Sequence, residues 1–177
     1  EIYMHNIRTL NEIFELRITK NYDTSSHRNF LKLCSEKKNE KAIKSWQEHL
    51  EKVRVWRNEL NTRTKFITQN IISEEQQAQW YSNYLKKEND YAFIIVDKVR
   101  SKTIGTVALC NISPETGEAE LGREIIGDEC DRGKGYGASA LKLVIDFAFN
   151  QLNLNTVYGE VLANNTASIR MLVKCGL

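Results

Sequence analysis

The sequence predicts an α/β fold of the α+β kind, a mixed and mostly antiparallel sheet flanked by helices, with an extra helical segment ahead of it. Three observations carry that expectation. Two amphipathic helix patterns come first; three strand-like runs then follow with only short polar separators, which suggests an antiparallel meander; and beyond a glycine-rich stretch the pattern becomes helix, strand, helix.

Ahead of Lys41 the pattern is sparse: Glu15-Leu16-Arg17-Ile18-Thr19 reads as an edge strand and Ser26 to Cys34 as a short helix. From Lys41 to Asn58 the residues Ile43, Trp46, Leu50, Val53 and Trp56 recur every three or four positions, which places them on one helix face. A second helix starts at Ser73, where Ser73 and Gln76 have capping-box spacing and Glu74 and Glu75 suit the positive end of the dipole. It runs to about Lys87, with Trp80, Tyr81 and Tyr84 as its apolar stripe. Strands are expected at Tyr91 to Val96, Thr103 to Ile112 and Glu118 to Ile126, separated by segments holding Ser101, Pro114 and Gly117. An apolar helix from about Gly137 to Leu152, a strand from Val157 to Leu162 and a helix from about Thr166 to Lys174 complete the pattern. Residues 1–50 are read as an extension packed on the domain, and 51–177 as its core.

A length of 177 residues fits one hydrophobic core. Twenty-five basic residues face 23 acidic ones, so nothing in the net charge of +2 favours a nucleic acid as partner. Cys34, Cys110, Cys130 and Cys175 show no Cys-x-x-Cys spacing, and His5, His27 and His49 lie far apart, so no metal site is expected. Without a signal-peptide pattern or an apolar run near 18 residues, the chain is expected to be cytoplasmic, with reduced thiols and no membrane partner.

The chemistry is concentrated in Arg132-Gly133-Lys134-Gly135-Tyr136-Gly137, between a predicted strand and an apolar helix. Glycines let successive backbone N–H groups approach a phosphate, and the start of the next helix adds the positive end of its dipole. A Walker A loop would need Ser or Thr after Gly133-Lys134, where Gly135 stands. A dinucleotide fingerprint would open the first βαβ unit, but here three short strands precede the loop and Ala138 occupies the third glycine's place.

Arg132, Gly135 and Gly137, as Arg-x-x-Gly-x-Gly, resemble the coenzyme A signature of the GNAT acyltransferase superfamily. The run from Asn165 through Ser168 and Lys174 to Leu177 is similar to that superfamily's Asn-x-x-Ser/Ala…Lys-x-Gly-Phe segment, and the likeness covers roughly residues 50–177. It implies that Arg132 to Gly137, Asn165, and the backbone at Ile125 and Ile126 hold acetyl-CoA as co-substrate. The sequence looks closest to the branch of ribosomal-protein N-terminal and amino-sugar nucleotide acetyltransferases. Val55-Trp56-Arg57-Asn58, with Asn61-Thr62, Ile72-Ser73 and Trp80, is similar to the early helices of the nucleotide-sugar members, which makes Trp56, Arg57 and Asn58 candidate substrate residues. Two features depart from the family: some 30 extra residues around Asp23 to Glu48, and an end at Leu177 where a β-hairpin is usual.

The resemblance implies direct attack of a neutral amine on the thioester, so Cys130 and Cys175 are expected to be inert. The oxyanion's donor is expected near Glu124 to Ile126, because family members use a backbone N–H where two strands splay and Gly122 marks a bulge or close approach. Period-two alternation puts Glu118, Glu120, Gly122 and Glu124 on one face; Glu120, which matches a carboxylate that relays a proton in related enzymes, is the first candidate base and Glu124 the second. The tyrosine that commonly protonates the leaving thiolate is replaced by Leu172, and Ser168, one turn earlier, is the candidate substitute.

A lysine amine near pKa 10.4 requires about four kcal/mol of deprotonation at pH 7.4, whereas an α-amine near 7.7–8.0 needs well under one. This ranks an amino-sugar amine or a protein α-amine above a lysine side chain; the likeness of the early helices puts an amino-sugar nucleotide first as acceptor, with a protein N-terminus as alternative. A coenzyme A-binding module that has lost catalysis is the rival class, and the acyl length and oligomeric state are left open.

Overall fold

The protein is described by a computed structural model, which covers residues 13–19, 31–34 and 40–177. Its elements run β1 (Ile13–Thr19), β2 (Leu31–Cys34), α1 (Glu40–Asn58), α2 (Leu60–Arg63), α3 (Glu74–Lys86), β3 (Tyr91–Asp97), β4 (Lys102–Ser113), β5 (Glu118–Ile126), α4 (Tyr136–Asn150), β6 (Thr156–Leu162) and α5 (Thr166–Lys174). A short 3-10 turn at Glu129–Asp131 lies between β5 and α4.

The strands form one sheet in the order β1-β6-β5-β4-β3-β2. The β3–β4–β5 meander is antiparallel as expected, and β6 joins β5 in parallel after the α4 crossover. β1 is the edge strand read from Glu15 to Thr19, antiparallel to β6. The short helix expected at Ser26 to Cys34 is not what forms there: Leu31–Cys34 is a strand paired with β3, and the rest of that segment lies outside the described residues. A sheet edge offers a row of backbone donors and acceptors, and pairing with it outweighs a weak local helix pattern.

α4 and α5 cover one face of the sheet, through Phe93, Ile95, Val107, Leu109, Ala119, Leu121 and Val157. α1 and α3 cover the other, where Leu50, Val53, Tyr81 and Tyr84 meet Ala92, Ile94 and Ala108. The capping box that starts α3 is formed as the spacing predicts: the Ser73 hydroxyl accepts from the Gln76 N–H at 3.2 Å and the Gln76 side chain accepts from the Ser73 N–H at 2.9 Å. Among the described residues no helix is long and apolar enough to cross a membrane, and no cluster of His, Cys, Asp and Glu could hold a metal ion.

Candidate active site

β5 is the strand that builds the site. Its parallel pairing with β6 runs from Glu118 to Leu121 and stops at Leu121 opposite Gly159, so its outer edge from Gly122 onward has no strand beside it. On its other side, Ala108 pairs with Gly122 and Thr106 with Ile125, leaving Arg123 and Glu124 to face the single residue Val107. This is a β-bulge, as Gly122 suggested, but the positive φ, 52°, falls on Arg123. That conformation is unfavourable for arginine, and its side chain is held in place by a two-pronged pair with buried Asp90, at 2.8 and 2.7 Å.

The bulge corrects the alternation read from sequence. Glu118, Glu120 and Gly122 stay on the α1/α3 face, but the extra residue turns Glu124 toward α4 and α5, where a side chain on Gly137 would overlap its carboxylate and Met171 lies alongside. Glu124 is half-buried, and the water it loses there pushes its carboxyl up, to about 7. Glu120 keeps an Asn111 amide on its Oε2 at 2.6 Å. The parallel register puts Tyr158 beside Glu120 and Glu160 two residues further along the same face of β6.

At the end of β5, Ile125 is buried and Ile126 packs on the α4 side. The Ile126 carbonyl accepts from Arg132 Nε at 3.0 Å, while Arg132 Nη2 donates to the Gly127 carbonyl and to Glu59 at 2.8 Å. Arg132 therefore pins the loop from behind. Gly133 and Gly135 have φ of 75° and 83°, and a side chain at either would meet nothing within 4 Å, so the loop presents bare backbone to open space. The first turn of α4 closes with the Ser139 N–H donating to the Gly135 carbonyl at 3.0 Å, and the N–H groups just before it belong to the helix end that has no internal acceptor. Lys134 is exposed on the same loop. Open backbone amides, positive φ and a helix N-terminus fit a diphosphate, and the unpaired edge of β5 gives an extended arm a path inward.

Sequence reasoning missed what holds this loop. Asp131 is fully buried and pairs with Arg100 of the β3–β4 turn at 2.8 Å and with Lys102, the first residue of β4, at 2.9 Å. Lys102 also meets Asp128 at 2.7 Å, Arg100 meets Asp97 at 2.6 Å, and the Tyr136 hydroxyl donates to Asp97 at 3.0 Å. Arg100, by its hydrogen bond, holds the Asp97 carboxyl down at about 2, and Lys102 depresses those of Asp128 and Asp131. The only sequence signal was a high density of charge on both sides of the loop.

The remaining candidates are placed as follows. Asn165 caps α5, accepting from the Ser168 N–H at 3.3 Å and donating to the Ser168 hydroxyl at 3.1 Å and the Lys65 carbonyl at 3.3 Å. Leu172 is buried against Gly159. Trp56 is buried beside Gly127 with its indole N–H on Asp128 at 3.1 Å. Asn58 exchanges both hydrogen bonds with the backbone of Ile72 at 2.8 Å, and Arg57 lies over the Phe66 ring at 3.7 Å and donates to the Thr68 carbonyl. Arg57 and Asn58 brace the segment that links α1 to α3, whereas Trp56 packs at the base of the loop that carries Arg132. Burial pushes the thiols of Cys110 and Cys175 up to about 12 and about 11, while Cys130 is exposed.

Residues 42–177 match the family described as acetyltransferase (GNAT) domain. The probable N-acetyltransferase YjcK of Bacillus subtilis (strain 168) is 34% identical over 109 residues, 60% of this chain and 58% of that protein. The chain thus matches a little more than half the length of that relative. The spermidine N(1)-acetyltransferase of Vibrio cholerae serotype O1 is 24% identical over 119 residues, 67% of each chain. The crystal structure of spermidine N-acetyltransferase from Vibrio cholerae in complex with CoA and spermine has a TM-score of 0.70 at 21% identity, covering 82% of this chain and 79% of that one, and so shares its fold.

Proposed function

Because the chain belongs to the GNAT acetyltransferase family, we propose that it transfers an acetyl group from acetyl-CoA to a primary amine, with a small cationic amine as acceptor. The observation that carries the reading is the succession along one strand of Glu120, the bulge, the unpaired edge and the glycine loop. When bound, acetyl-CoA supplies an activated acyl carbon. The amides of Gly133 to Gly137 hold its pyrophosphate, with Arg132 fixing the loop, and the edge of β5 through Ile125 and Ile126 orients its arm. Glu120 takes the amine's proton through water. Ser168 already accepts a hydrogen bond from Asn165, which leaves its own O–H free to donate toward the departing sulfur.

The acceptor reading rests on charge. Glu120 lies on the α1/α3 face of β5, where its carboxylate favours a cationic acceptor over the diphosphate of an amino-sugar nucleotide. The name of the Vibrio cholerae relative supports the same ranking. Release of CoA thiol should be measured with acetyl-CoA and three acceptors: spermidine, a nucleotide amino sugar and a peptide with a free N-terminus. The expected result is the highest kcat/KM for spermidine. Preference for either of the others would reassign the acceptor, and bound coenzyme A with no transfer to any amine would make the domain a binding module.

A further inference from the structure

Glu124 has no function in the scheme above. It is the one carboxylate of β5 that the bulge turns toward α4 and α5, and it lies where β5 has already lost β6. A methyl group on Gly137, in the first turn of α4, would meet both the Glu124 carboxylate and the Met171 sulfur of α5. Among the described residues no cation pairs with it and no hydrogen bond holds it; Arg123, its neighbour, points the other way to Asp90. Any linear ligand whose diphosphate rests on the start of α4 and whose arm follows the edge of β5 passes this group.

We propose that Glu124 is a binding residue for the acyl donor and acts in its neutral form, its carboxyl O–H donating a hydrogen bond to an amide carbonyl in the arm of coenzyme A. The inference rests on the donor reading above. Its physical basis is the cost of charge in that place. Partial burial already brings this carboxyl up to about 7 without a ligand, against the helix end that favours the anion. A polyanionic ligand whose arm removes more water shifts it further, so a proton enters from solvent as the ligand binds. The ionisable groups on the surrounding elements leave this sign unchanged. Cys175, at the end of α5, is pushed up chiefly by burial and in smaller part by Glu124, and Lys142 of α4 and Lys174 of α5 act on Cys175. β4 contributes only Val107 opposite the bulge. A carboxyl kept neutral is a donor that a carboxylate cannot be.

The test is calorimetry of coenzyme A binding at pH 8 in two buffers of different ionisation enthalpy, on the wild-type chain and on Glu124→Gln. The wild type is expected to take up close to one proton more than the glutamine variant, whose amide is a permanent neutral donor, and protons exchanged by the ligand's own phosphates cancel in that difference. Between pH 7.5 and 8.5 the wild-type Kd should rise about tenfold relative to the variant. Glu124→Leu, shown folded by circular dichroism, should bind a few-fold to tenfold more weakly than Glu124→Gln. Equal proton uptake in wild type and Glu124→Gln, or normal binding by Glu124→Leu, overturns the proposal while leaving the donor reading intact. Absence of binding by every form overturns both.

Discussion

Replacing Glu120 by Gln keeps the side chain's shape and its neighbour Asn111 but removes the basicity. General base catalysis contributes about 10²–10⁴ in rate, so kcat should fall by that factor while the Kd for acetyl-CoA stays within about twofold. The residual rate should climb with pH toward the pKa of the acceptor amine. An unchanged rate and pH profile would return the proton directly to water. Residue by residue, the sequence was most legible where one amino acid does its work alone. Gly122 announced a bulge, and Gly133 and Gly135 announced a backbone cradle. The face taken by Glu124 was not legible, because a two-against-one mismatch is defined only by Val107 on the partner strand. Nor could sequence show that Trp56 and Asn58 would have their polar groups engaged by Asp128 and Ile72, partners that local spacing does not reveal.

Among the elements, the glycine loop and the charges behind it are separable. At Gly135 a side chain meets nothing within 4 Å, so Gly135→Val loads the fold only with a φ of 83°, on the order of 1–2 kcal/mol or somewhat more for a β-branched residue. The same side chain fills the space assigned to the phosphate. Thermal melting should show a folded protein, and titration calorimetry a loss of coenzyme A binding of at least tenfold. Normal binding would remove the loop from the donor site. Behind it, Asp97 has a folded pKa of about 2, below the ordinary aspartate value near 3.9, so its contribution is complete above about pH 4 and is lost as pH falls through about 2. The wild-type Tm should therefore drop more steeply than that of Asp97→Asn between those limits; parallel curves would mean that the Arg100 pair adds nothing. Helices and strands with a strong local period were readable in advance, as the capping box of α3 shows. Leu31–Cys34 was misread because its conformation is decided by the edge of β3, and the Asp131 cluster was missed because its members come from two segments far apart in sequence.

At the scale of the molecule, a ligand that binds only the folded form stabilises it by RT ln(1 + [L]/Kd), roughly 2.7 kcal/mol at about 100-fold excess over Kd. For a domain of this size that is a rise in Tm of about 5–10 °C with acetyl-CoA. No shift and no heat of binding would reject the donor assignment as a whole. The family and the mixed sheet could be read from motif order and spacing alone, since each element reports itself locally and the glycine loop falls between two of them.

The pairing of β1 with β6 sets Ile13 beside Leu162 and Thr19 beside Thr156. Contacts so distant along the chain carry a large loop-closure entropy and form late, whereas the β3–β4–β5 meander can form from neighbouring residues. During folding, then, β6 waits with a bare edge until β1 arrives. That interval is when two copies of the chain could pair with each other by mistake. In the finished protein the same asymmetry should persist as unequal protection: amides of β1 should exchange with deuterium sooner than those of β4, which is flanked by strands on both sides.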